Sequence, residues 1–259
     1  MTYPQLSTGA LSQYPARTRR RTRTVRNRTE DGRIIKLPDV AAQTTEWQLQ
    51  YSSLSDSELG ALQSFFTAME GSLNGFTFLD PCGNLLAWSD DPTQTEWQRD
   101  QFLTLTGAAS DPNGGKSAWL IANSGGASQG ISQTLNVPGG YLYCLSVFLR
   151  ADQQTAVTLS LGALSASVSA NTTWSRFSVS GMSESSSSAV TFGFALGAGG
   201  SVFLYGPQVE PQESPSVYQS STTGGVYQNA RFRDDIFTYT STDVNRHSTT
   251  VNIVYANHL

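Results

Sequence analysis

The chain is 259 residues long, has a formal net charge of −4 and is only 14% charged, with Ser, Thr, Gly and Gln filling the deficit. That length suits one large domain or two modest ones, and a charged fraction well under the ~25% of ordinary soluble domains fits secreted or assembled all-β proteins. The negative balance gives no electrostatic case for a nucleic-acid binder, no apolar stretch nears the roughly 18 residues of a membrane span, and no charged start followed by an apolar run marks a signal peptide.

The basic residues are unevenly placed, nine of the 16 Lys and Arg lying between Arg17 and Lys36. Arg17 to Thr29 interleaves Arg with Thr and Val, which favour strands. Period-two spacing would put Arg17, Arg19, Arg21 and Arg23 on one face. Three readings stay open: an anionic or nucleic-acid surface, a subunit interface where guanidinium groups meet a neighbour's carboxylates, and a disordered basic arm. The interface is the favoured one, because the interleaved aromatics that single-strand binders use for stacking are missing.

Trp47, Leu49 and Tyr51 alternate with Gln48 and Gln50, predicting a half-buried strand. A helix follows. Ser55 and Glu58 form a capping box, Leu59, Leu62, Phe65, Phe66 and Met69 make one apolar stripe, and Gly71 fits the stop. Gly75 to Leu79 reads as another strand, closed by the turn former Asp80-Pro81.

From Trp88 to Gln212 the composition changes to Gly, Ser and Thr with almost no Lys or Arg. Strands are predicted around Phe102 to Leu105, Ala118 to Ala122, Ile131 to Val137, Tyr141 to Arg150, Val157 to Leu161, Ser165 to Val168, Arg176 to Val179, Val190 to Leu196 and Val202 to Val209. Gly-, Pro- and Asn-rich turns separate them, including Asp111 to Gly115. This is the pattern of a β-sandwich or jelly roll. After Pro215 the aromatic style of the first segment returns. The predicted organisation is therefore a discontinuous mainly-β scaffold, 1–87 and 213–259, with one packed helix, interrupted by an inserted jelly roll, 88–212. Cys82 and Cys144 fall in different domains on this division and make neither a disulfide framework nor a metal knuckle.

Catalytic chemistry is thin. The histidines are His247 and His258, and neither sits near a recognisable nucleophile motif. No spacing supports zinc, and no glycine-rich run leads into a helix that could hold phosphate. No pair among the middle-region carboxylates is identifiable as the acid pair of a glycosidase. The expectation is a protein that is not an enzyme and has no cofactor, a structural calcium at the sandwich edge being the one ion its acids and carbonyls could hold. Sandwich aromatics suit sugar stacking as well as core packing; Trp97, Trp119, Tyr141, Tyr143 and Trp174 are the candidate glycan contacts.

Two resemblances add to this. The order of strand, Leu54-Ser55-Asp56-Ser57-Glu58 helix start, Phe65-Phe66, Gly71 and Phe76-Thr77-Phe78-Leu79-Asp80-Pro81 resembles the distal tail and minor tail proteins of long-tailed bacteriophages and phage-like particles. Arg231-Phe232-Arg233-Asp234 and Val251-Asn252-Ile253-Val254 are similar to the closing strands of that scaffold. Between them, Lys116-Ser117-Ala118-Trp119-Leu120, Trp174-Ser175-Arg176 and Gly206-Pro207-Gln208-Val209-Glu210 resemble carbohydrate-binding-like jelly rolls of phage structural proteins. The first resemblance implies a homohexameric ring joining the tail tube to tip or hub proteins at the baseplate, located in the virion tail and made in the host bacterial cytoplasm. In such a ring Arg17, Arg19, Arg21 and Arg23 would be interface residues. The second implies an outward module that touches host-surface glycans or neighbouring proteins. A free-standing carbohydrate-binding adhesin and a glycan hydrolase are the alternatives.

Overall fold

The computed structural model describes residues 1–256, which fold as two units. One unit comprises Met1–Ser7, Leu11–Phe78 and the chain from Tyr227 onward; the other comprises Thr8–Ala10 and Leu79–Val226. Cys82 and Cys144 both fall in the second unit and both are free thiols, which corrects their assignment to different domains.

Sixteen strands and one helix form among the described residues. In chain order they begin with β1 (Gln13–Arg28), β2 (Ile34–Leu54), α1 (Asp56–Ala68), β3 (Phe76–Leu79), β4 (Gln98–Arg99), β5 (Leu103–Ala109), β6 (Ala118–Asn123), β7 (Gln129–Leu135) and β8 (Leu142–Arg150). The series continues with β9 (Thr155–Leu161), β10 (Leu164–Ala170), β11 (Ser175–Met182), β12 (Val190–Leu196), β13 (Ser201–Glu210), β14 (Val226–Phe232), β15 (Tyr239–Asp243) and β16 (Arg246–Ala256). The chain is thus mainly β with a single helix, as its alternation and turn chemistry predict.

In the first unit one sheet runs β1-β2-β16-β14-β3, with β15 paired to the far side of β16. Helix α1 starts on the predicted capping box: Ser55 accepts from the Glu58 amide, and the Glu58 side chain returns to the Ser55 backbone. Its Leu59, Leu62 and Met69 are buried. Aromatic rings fill the core, with Phe65 edge to face with Tyr3 at 5.7 Å and with Phe76 at 5.1 Å, and Phe76 tilted against Phe232 at 5.1 Å. Such pairs add about 0.5–1.5 kcal/mol each beyond their area burial. The buried Tyr3 and Tyr51 hydroxyls are satisfied in series, the Tyr51 hydroxyl donating to the Leu11 carbonyl at 2.7 Å and Tyr3 donating to Tyr51 at 2.8 Å.

The second unit is a sandwich of two five-stranded sheets, β10-β9-β12-β7-β4 and β11-β8-β13-β6-β5. Every pairing is antiparallel. Alternate residues of β8 (Tyr143, Leu145, Val147, Leu149), β9 (Val157, Leu159, Leu161) and β12 (Val190, Phe192, Phe194, Leu196) turn inward and are buried. Tyr143 packs edge-on to Phe192 of the opposite sheet at 5.6 Å. Each such side chain contributes roughly 1.5–3 kcal/mol of burial, so this layer holds the two sheets together.

Candidate functional site

The strands β8, β11 and β13 lie side by side, and their register sets a surface. Directly opposed residues of an antiparallel pair share a face. Phe148 pairs with Tyr205 on one side and Arg176 on the other, while Phe203 pairs with Arg150 and with Leu120 of β6. Their chain neighbours Val147, Leu149, Val202 and Leu204 are buried in the sandwich. Alternation therefore places Phe148, Arg150, Arg176, Phe203 and Tyr205 on the outer face, where each is half-buried. Trp174, just before β11, reaches the same face. The Arg150 guanidinium lies 4.1 Å from the Phe203 ring centroid and 5.9 Å from that of Trp174.

A kink in β13 completes the array. The β13–β8 register shifts between Tyr205 and Gln208. At the shift Gly206 has φ +62°, and a Cβ there would sit 3.0 Å from the Tyr218 ring. Only glycine meets both the positive φ and the close approach without strain. Tyr218 packs 5.4 Å from Tyr205, edge to face, and donates from its hydroxyl to Asp90 Oδ1 at 2.5 Å. Burial first, then Asp90, pushes the Tyr218 phenol far above its ordinary value. Asn84, 2% exposed, locks the kink: its amide donates to the Pro207 and Gln219 carbonyls at 2.8 and 3.3 Å, and its carbonyl oxygen accepts from Leu86 and Val209 amides, both at 3.1 Å.

Two further groups frame the face. The turn predicted at Asp111 to Gly115 forms, and amides of Ser117, Asn113 and Gly115 hold the Asp111 carboxyl below the usual range. That turn delivers Asn113, whose amide donates to the Tyr205 hydroxyl at 3.1 Å. At the other end Arg176 lies 5.3 Å over the Phe148 ring and donates to Ser146 Oγ at 2.9 Å and to the Ser216 carbonyl. The buried Glu210 accepts from the Ser216 amide at 3.0 Å, so the 211–219 segment is pinned over the end of the face next to Cys144 and Ser146. Burial, with Glu210 adding to it, pushes the Cys144 thiol up to about 12. It is an inert core group.

Of the five aromatics expected to meet a glycan, only Trp174 lies in this array. Tyr143 (0% exposed) and Trp97 (6% exposed) are core residues, which corrects their candidacy. Tyr143 donates to the Pro138 carbonyl at 2.8 Å and Trp97 to the Trp88 carbonyl at 3.0 Å, so each polar tip is satisfied inside the fold. Trp119 pairs with the inward-facing Leu204, stacks over Gly107 and donates to the Asp90 carbonyl at 2.9 Å. Tyr141 is half-buried and stacked 6.5 Å from Tyr143, and burial pushes its phenol up to about 12. Phe148, Phe203, Tyr205, Tyr218, Arg150 and Arg176 are not among the glycan contacts expected from the sequence, although Arg176 belongs to the Trp174-Ser175-Arg176 motif. The signal that marks them is the pair of arginines, two of the four Lys and Arg between residues 88 and 212.

On the first unit, Arg17, Arg19 and Arg21 pair with Gln48, Glu46 and Thr44 and so share a face, and the ladder shifts before Arg23. Arg21 lies 3.5 Å from Glu46 and Arg23 lies 3.3 Å from Asp39. These two guanidinium groups therefore meet carboxylates of their own chain, where the sequence reading gave them a neighbour's. Ser241 Oγ lies 2.8 Å from Nδ1 of His247, whose Nε2 lies 2.6 Å from Asp56 Oδ1. The three residues tie the β15–β16 hairpin to the first turn of α1. His258 lies outside the described residues. Among the described residues, no group of three or more His, Cys, Asp or Glu side chains is placed to hold a metal ion, and no helix is long and apolar enough to cross a membrane.

No protein-family model and no curated protein matches this chain. Among solved structures it is similar to the CBM22-1 xylan-binding domain from Paenibacillus barcinonensis Xyn10C, at 15% identity and a TM-score of 0.41 over 51% of this chain and 97% of that one. It is also similar to TmCBM61 in complex with β-1,4-galactotriose, at 14% identity and a TM-score of 0.39 over 49% and 97%. A third similarity is to the enzymatically active domain of bacteriophage CBA120 tailspike protein 4, at 11% identity and a TM-score of 0.40; 51% of this chain is covered, and only 22% of the tailspike chain.

Proposed function

We propose that this chain is a non-enzymatic structural protein of a phage tail or tail-like particle, whose sandwich binds glycan on the outer face of the β11-β8-β13-β6-β5 sheet. The observation that carries the glycan reading is the cross-strand array of Trp174, Phe203, Phe148 and Tyr205 with Arg150 seated among the rings. A pyranose has one face of C–H groups and a rim of hydroxyls. Half-buried rings on a rigid sheet offer the apolar platform, and a guanidinium held on a ring offers donors in a fixed place. Few convergent polar groups among aromatics is the general design of a small-molecule site. Asn113, positioned by its loop, adds a polar group at the rim.

The tail reading rests on the order of motifs in the first unit. In it the first unit would sit in a ring, a homohexamer in the reading offered here, between the tail tube and the tip or hub proteins, and the sandwich would meet host-surface glycans or neighbouring tail proteins. A glycan array probed with the full chain, followed by calorimetry on the best ligand, tests the binding half. Affinity that disappears in Trp174→Ala is expected. Undiminished affinity in Trp174→Ala and Tyr205→Ala together would remove this face from the reading. Release of reducing ends from the bound glycan would replace it with the hydrolase alternative. Electron microscopy of the particle tests the other half; a chain absent from every tail ends it and leaves the free-standing adhesin.

A further inference from the structure

The β1–β2 hairpin runs beyond the sheet that supports it. Among the described residues, strand β16 accompanies β2 as far as Thr44, whereas β1 and β2 pair with each other out to Arg28 and Ile34. The tip is closed by the Thr29 amide donating to the Arg33 carbonyl and the Gly32 amide to that of Thr29, both at 2.9 Å. From Arg23 to Asp39 this is a two-stranded ribbon with solvent on both faces, each strand reaching roughly 20 Å past the sheet at ~3.3 Å per residue. Isolated two-stranded ribbons are at best marginal in water, and long free edges invite pairing.

Its register sorts the side chains. Val25 opposes Leu37 and Asn27 opposes Ile35, giving one mainly apolar face; Arg26 opposes Lys36 and Arg28 opposes Ile34, giving a basic one. On the apolar face Leu37 and Ile35 are each 48% exposed. An exposed apolar stripe backed by cations is the composition of a surface made to be covered.

Charge identifies what covers it. Residues 20–39 hold seven Lys and Arg against Glu30, Asp31 and Asp39, a formal +4, and the other nine basic and seventeen acidic residues of the chain sum to −8. The molecule carries the complement of its own arm. We propose that the arm docks in trans on the acidic body of a second copy of this chain, its apolar face buried in the contact and its basic face setting orientation. The twenty residues from Arg20 to Asp39 match the ≈ 20–30 residues a side of a standard interface, and opposed fields raise association rate and fix register. This contact would serve the ring of the preceding reading, but it stands on the arm alone.

The test is sedimentation and native mass spectrometry of the full chain across concentration, at low and high salt. The wild type is expected to self-associate, with Kd rising at least about tenfold at high salt as the charge attraction is screened. Two triple variants, Val25→Ser/Ile35→Ser/Leu37→Ser and Arg26→Glu/Arg28→Glu/Lys36→Glu, should each weaken association by at least about tenfold. Both should keep the wild-type Tm, since their side chains lie outside either core. A wild type that stays monomeric at ~100 μM and low salt, or triple variants that associate like wild type, overturns the proposal. Arm-dependent binding of a DNA duplex or of anionic vesicles with no arm-dependent self-association does the same. A closed dimer in the mass spectrum would keep this contact and remove only the ring.

Discussion

Arg150 and Phe203 are direct cross-strand partners, and the guanidinium carbon of the first lies 4.1 Å above the ring of the second. Asp152 also reaches Arg150, at 3.6 Å, although that carboxylate is 78% exposed and the pair contributes little to stability. The ring therefore does more than the ion pair to fix the cation. Arg150→Ala is expected to lower affinity for the best array glycan at least about tenfold while costing only about 0.5–1 kcal/mol of stability, the value of an exposed cation–π contact. Calorimetry and thermal melts on the same preparation check both halves. Arg150→Lys, which keeps charge but loses the planar fork, should restore the melt and only part of the affinity.

Asn84 is predicted to be the most sensitive polar residue of the sandwich. It is 2% exposed and makes four hydrogen bonds, to Leu86, Val209, Pro207 and Gln219. Asn84→Leu strands two amides and two carbonyls in a dry site, at about 1–3 kcal/mol for each group left unsatisfied. Partial rearrangement brings the expected total to about 3–4 kcal/mol. Urea denaturation measures it, and a loss under 1 kcal/mol would show that the kink at Gly206 and Pro207 holds without this side chain.

Gly206→Ala should act on the platform more than on the core. The substitution puts a methyl at positive φ, 3.0 Å from the Tyr218 ring. Expected are a cost of about 1–2 kcal/mol and a displaced Tyr218, visible in the near-ultraviolet circular dichroism. Affinity for the glycan should fall with the Tyr205–Tyr218 pair.

The parts of this architecture that could be read ahead of the structure are those with a local code. Helix α1 announces itself because Ser55 and Glu58 satisfy each other within one turn, and the sandwich strands because Gly, Pro and Asn punctuate them. The platform has no such code. The run from Tyr141 to Arg150 is almost continuously apolar, so alternation along β8 does not say which residues face out. That is decided by pairing with Phe203 and Tyr205, more than fifty residues away. Aromatic content pointed instead to Trp97 and Tyr143, which the core needed. The arm was legible only in its first strand, where Arg alternates with Thr and Val; the register alone reveals the returning strand and the separation of apolar and basic residues onto two faces.

Glu58 gives the first unit an acid-sensitive joint. Partial burial alone would raise its carboxyl, yet four hydrogen bonds, two from Ser7 and two from Ser55, outweigh that and hold it at about 2 against an ordinary 4.5. A carboxyl depressed in the folded state stabilises fully above its unfolded value, and that contribution is lost as pH falls through the folded one. Stability should therefore decline between pH ~4.5 and ~2. Discounted for partial exposure, the loss assigned to this group is about 1–2 kcal/mol. Glu58→Gln cannot take on the charge that the Ser7 and Ser55 donors favour. It should be less stable than wild type at pH 7 by a similar amount and should lose less of its stability over the acid interval. Urea titrations of both proteins at pH 7, 4.5 and 2.5 make the comparison, and parallel curves would mean that other carboxylates govern the acid limb.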